Sequence, residues 1–79
     1  MFLVVPDPAH GLVAAPQSSL DLTPGTTTFL TGQGFAWRDD IQAYTRRTDD
    51  SPAAVEHVAR VLRDLGHYVF SAHRPLPTR

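Results

Sequence analysis

The histidines His10, His57, His67 and His73 and the serines Ser18, Ser19, Ser51 and Ser71 are the side chains best suited to chemistry in this sequence. A zinc site asks for ligands at short local spacing, such as i and i+4 on one helix or paired C-x-x-C units. The histidine spacings offer neither, and there is no cysteine. His67 and His73 would share one face of a strand but lie roughly 20 Å apart at 3.3 Å per residue. Nucleophilic catalysis needs a hydroxyl beside a base that a third group orients. None of the serines sits in an elbow motif, and Ser51 precedes a proline as a helix-capping residue does. The carboxylate pairs Asp39-Asp40 and Asp49-Asp50 fall in turn-like stretches, where Asp is favoured for local hydrogen bonding.

The glycines of "TTTFLTGQGF" (26–35) invite comparison with a phosphate loop. The dinucleotide fingerprint requires G-x-G-x-x-G between a strand and a helix start, and a P-loop requires G-K-[ST]. Gly32 and Gly34 instead lead into a strand-like run, so no helix N-terminus would face an anion. The expectation is no catalytic residue, no cofactor and no metal.

Arginine and the aromatics remain. All seven basic residues are arginine, and with eight acidic residues the net charge is −1. Arg38, Arg46 and Arg47 could cluster at one end of a central hairpin, joined by Arg74. Trp37, Tyr44, Tyr68 and Phe70 could stack on bases or on a protein partner. Phosphate binding normally asks for a basic face, and the RNA-recognition pattern is absent. The candidate interaction surface is therefore Trp37, Arg38, Tyr44, Arg46, Arg47, Tyr68 and Phe70. A homodimer or protein partner is the first reading, and a nucleic-acid-binding accessory protein of a plasmid or phage is the second.

The elements that must position these residues begin with "DDSPAAVEHVARVLRDLGHYVF". Ser51 or Asp50 caps a helix over 52–65, and Pro52 suits its first position. Val55, Val58, Leu62 and Leu65 form an apolar stripe, and Gly66 stops it. A strand follows at 67–72. "GLVAA" (11–15), "FAWR" (35–38) and "IQAYT" (41–45) read as further strands, the last two joined at Asp39-Asp40. "MFLVV" can add an N-terminal strand over 2–5, as a hairpin with 11–15 across "PDPAHG".

Residues 24–32 are ambiguous by propensity, since three threonines favour a strand. The two halves of the chain nevertheless share a plan: Thr23-Pro24 and Gly34 echo Ser51-Pro52 and Gly66, with about one helical turn of difference. On that plan 24–32 is a helix. The single 79-residue domain is then a split βαβ, ferredoxin-like βαββαβ fold, with an antiparallel sheet and two helices on one face. The alternative is a β-meander with one helix. Residues 73–79 form a Pro/Arg tail.

"HGLVAAP", "FLTGQGFAW", "AYT" and "VLRDLGHYV" together resemble small uncharacterised proteins of actinobacterial genomes and their mobile elements. In those, a Leu-x-x-x-Gly-Phe unit is echoed by a Leu-Arg-x-x-Gly-His/Tyr-x-Val unit. The resemblance spans residues 10–70 and implies no activity. A high-GC genome also explains the absence of lysine and asparagine and the single isoleucine, Ile41. No apolar run approaches the roughly 20 residues that span a bilayer, and "MFLVVPDPAHG" lacks a basic start, so a cytoplasmic location is expected.

Overall fold

The two glycine-stopped helices form with the same local hydrogen bonds. In the computed structural model, which describes residues 1–48 and 51–72, α1 spans Pro24–Gly32 and α2 spans Pro52–Asp64. Thr23 Oγ1 accepts from the Thr26 amide, and Ser51 Oγ accepts from the Ala54 amide, each three residues on. At the other end, Gly34 and Phe35 N–H donate to Thr31 and Leu30 carbonyls, as Gly66 and His67 donate to Arg63 and Leu62. Both are Schellman stops, and Gly34 and Gly66 adopt the left-handed φ that such stops need. The helix expectation for 24–32 holds despite its threonines, because Thr26 and Leu30 are fully buried. Asp50, the other capping candidate, lies outside the described residues, as do Asp49, His73 and the rest of the 73–79 tail.

Five strands make one sheet: β1 Phe2–Asp7, β2 Gly11–Pro16, β3 Ala36–Arg38, β4 Ala43–Arg46 and β5 Val69–Ser71. Their order is β3-β4-β2-β1-β5. The fold is α+β, as expected, but the sheet is mixed. β1 pairs antiparallel with β2 and parallel with β5, whereas β2–β4 and β3–β4 are antiparallel. The hairpin of β1 with β2 forms as expected, but the purely antiparallel expectation fails because β1 lies between β2 and β5 and runs parallel to β5. Phe2, Val4, Leu12 and Ala14 then give β1 and β2 a fully buried face that an outer strand would waste.

That face carries both helices. Leu30 from α1 and Ala54, Val55, Val58 and Leu62 from α2 pack on Phe2, Val4, Leu12 and Ala14, with Phe35 closing the layer. The opposite face bears Val5, Val13 and Ala43, with Leu3, Ala15 and Ala72 against them. Gly11 begins β2 with φ +84, and a Cβ there would meet the Arg46 carbonyl oxygen and lie 2.7 Å from Arg47 Cα. No helix among the described residues is long and apolar enough to cross a membrane.

Most expected boundaries shift by one or two residues, and two of the shifts have a local cause. The turn between β3 and β4 takes four residues, Asp39 to Gln42, rather than the Asp39-Asp40 pair alone, and Gln42 has φ 54. β5 starts at Val69 instead of His67, because the His67 amide is spent on stopping α2.

Candidate functional site

The seven candidate surface residues do not form one surface. β3 and β5 are the two edges of a five-stranded sheet, so Trp37 and Phe70 lie about four strand spacings, roughly 19 Å, apart. Trp37 pairs with Tyr44, which pairs with Ala14, placing both aromatics on the helix-bearing side. Their rings meet edge to face at 5.2 Å. Phe70 pairs with Leu3 and therefore points to the other side. The aromatics are thus divided between faces.

The arginines are divided too. Arg38 is at the turn end of its hairpin, and both its Nε and Nη2 donate to the Asp40 carboxylate. That pair raises the Arg38 pKa and lowers that of Asp40. Arg46 and Arg47 are near the far end of β4, on the order of 10 Å along the strand. Arg46 is built into the fold: its Nη1 donates to the Gln33 carbonyl at 3.0 Å, its Nε donates to the Thr48 carbonyl, and its guanidinium lies 4.9 Å from the Phe35 ring centroid. Arg47 is exposed. Arg74 lies outside the described residues.

One hydroxyl–imidazole pair was not foreseen from sequence. Thr26 Oγ1 is 2.6 Å from His67 Nε2 and 2.9 Å from Thr23 Oγ1. The distance suits a nucleophile and its base. Thr26 is fully buried, however, and no substrate atom could approach it. The bond instead ties the first turn of α1 to the segment leading into β5, while the His67 ring packs edge-on against Phe2 at 5.0 Å. Sequence alone put Thr26 near the start of one helix and His67 just past the end of the other; their contact depends on how the two halves pack.

Two carboxylates are held by amides and an ammonium. Asp21 accepts from the Met1 ammonium at 2.8 Å and from the Gln17 and Ser18 amides, and the ammonium chiefly lowers its pKa. Asp7 accepts from the Ala9 amide, which lowers its pKa most, with His10 Nδ1 3.5 Å away. Among the described residues no three His, Cys, Asp or Glu side chains converge as a metal site.

The remaining feature is the helix-free corner where β5 meets β1. Phe70, Leu3 and Ala15 form one row across β5, β1 and β2. Phe70 is 52% exposed, and Tyr68, two residues before it, is 85% exposed. Beside them a depression of about 250 Å³ is lined by Met1, Leu3, Ala15, Pro16 and Gln17. No family model, curated protein or solved structure matches the chain. The corner is accordingly read from its own chemistry. It offers apolar contact area and a hollow, with no activated nucleophile or paired acid among its described residues, and such patches suit association.

Proposed function

We propose that this chain is a non-enzymatic interaction module that engages a protein partner through the helix-free corner of its sheet. The observation that carries the reading is the exposure of Tyr68 and Phe70 beside Leu3 and Ala15. In a small domain large aromatic side chains are normally packed away, and two on one strand edge are worth more in a contact than in water. On this reading β2-α1-β3 and β4-α2-β5 are the halves of a ferredoxin-like split βαβ plan with β1 inserted, and the helices serve to hold the sheet. The nucleic-acid reading loses support from the separation of Arg38 from Arg46 and Arg47 and from the Arg38–Asp40 pair.

A benzophenone side chain placed at position 68, or at exposed Ala53 on α2 as control, tests the proposal in cells expressing the chain. Protein adducts should form from position 68 and be few from position 53. Equal yields from the two positions, or none from position 68, would overturn it.

A further inference from the structure

The corner just described has two parts that match each other in kind. Tyr68 and Phe70 project from the edge, and the depression lined by Met1, Leu3, Ala15, Pro16 and Gln17 lies alongside, with Leu3 belonging to both. A patch that carries both a projection and a hollow is suited to a two-fold pairing, in which each surface element of one copy meets the other element of its partner. Resting on the interaction-module reading, we propose that the partner is a second copy of this chain, joined face to face at this corner, with Tyr68 and Phe70 of each copy seated in the other's depression.

Charge permits the pairing. Among the described residues lining the hollow the only charged group is the Met1 ammonium, and Asp21 already holds it at 2.8 Å. A net charge of −1 adds little repulsion between whole copies. Two aromatics of roughly 150–250 Å² each, exposed as these are, offer on the order of 300 Å² per copy. A standard stable interface takes about 800 Å² per partner, so the dimer is a weak one that forms and dissociates with concentration.

The edge of β5 argues for contact through the face and against extension of the sheet. Tyr68 O accepts from Phe2 N–H, and Ala72 N–H donates to Val4 O, so the alternation turns the backbone groups of Val69 and Ser71 outward. Arg63 Nη2 donates to the Val69 carbonyl at 3.2 Å, occupying the acceptor that an added strand would need. A guarded edge of this kind discourages strand addition.

Sedimentation velocity over a concentration series from about 5 µM to 1 mM decides the matter, the range being set by the weak-interface class. The wild type should move from one chain's mass toward two. Tyr68→Ser, at a site too exposed to be needed for folding, should raise the midpoint at least tenfold, and Ala15→Arg should do the same by filling the hollow. Arg63→Ala should leave the midpoint within twofold. A wild type that stays monomeric throughout, or a dimer indifferent to Tyr68→Ser, overturns the second-copy proposal, and so does a dimer abolished by Arg63→Ala. The position-68 crosslinker separates the two readings. Adducts to a different protein from a monomeric chain sink the second copy and leave the module, whereas no adduct of any kind sinks both.

Discussion

Thr26 shows how one hydroxyl can matter to a protein that has few polar groups inside. It is fully buried, and its oxygen joins Thr23, which caps α1, to His67, which follows α2. Thr26→Val keeps the shape and β-branching while leaving His67 Nε2 and Thr23 Oγ1 without their shared partner. Thr23 is exposed and His67 half-buried, so water can replace part of the lost bonding. The cost should be that of an ordinary hydrogen bond, about 0.5–1.5 kcal/mol, and urea unfolding should register it. Thr28→Val, at an exposed position of the same helix, should change stability by only a few tenths of a kcal/mol. Equal effects from both substitutions would mean that the Thr26–His67 bond contributes nothing.

Among the elements, glycines with opposite roles give opposite expectations. Gly11 combines φ +84 with a backbone approach from Arg46 and Arg47 that leaves no space for a Cβ. Gly11→Ala should therefore cost at least about 1–3 kcal/mol and loosen the β2–β4 pairing. Gly25, in the first turn of α1, has nothing within 4 Å of the point where an alanine methyl would sit. Gly25→Ala should gain about 0.5–1 kcal/mol, because alanine loses less backbone freedom than glycine in a helix. Thermal unfolding of the two variants should move in opposite directions. These elements also mark where the sequence was readable. Thr23 and Gly34, like Ser51 and Gly66, act through hydrogen bonds a few residues long, and Pro24 and Pro52 through a fixed φ, so both helices could be located from the chain alone. The place of β1 between β2 and β5 depends on pairing Phe2 with Val69, and no local pattern encodes it. For the same reason the facing of Trp37 and Phe70 was hidden: it follows from strand order and from a turn that runs on to Gln42. Tyr68 and Phe70 were legible as candidates by type; their association with Leu3 and Ala15 came only with the sheet.

For the whole molecule, acid is the condition that tests its charges together. Asp7, Asp21 and Asp40 have pKa values lowered respectively by the Ala9 amide, the Met1 ammonium and Arg38. A carboxylate with a depressed folded-state pKa contributes stability above its unfolded value of about 3.9, and that contribution disappears as pH falls through the lower folded value. Stability should thus be nearly level from pH 7 to about 5 as far as these groups are concerned and decline below about pH 4. Asp21→Asn should flatten the decline, which urea midpoints measured between about pH 2.5 and 7 would reveal. An unchanged slope would remove Asp21 from the account.

The parallel pairing of β1 with β5 also dictates an order of events as the chain is made. Phe2 to Val4 leave the ribosome well before Val69–Ser71, the strand that lines up with them on one side. Until those residues emerge, β1 can rest only on β2, and its other rim offers free amides and carbonyls to any neighbouring nascent chain. The helix α2, whose Val55, Val58 and Leu62 cover Phe2 and Val4, arrives just before β5 and can shelter that side-chain layer first. Of the described strands, the one synthesised last is therefore the one that seals β1, and completion of this sheet waits on translation of β5.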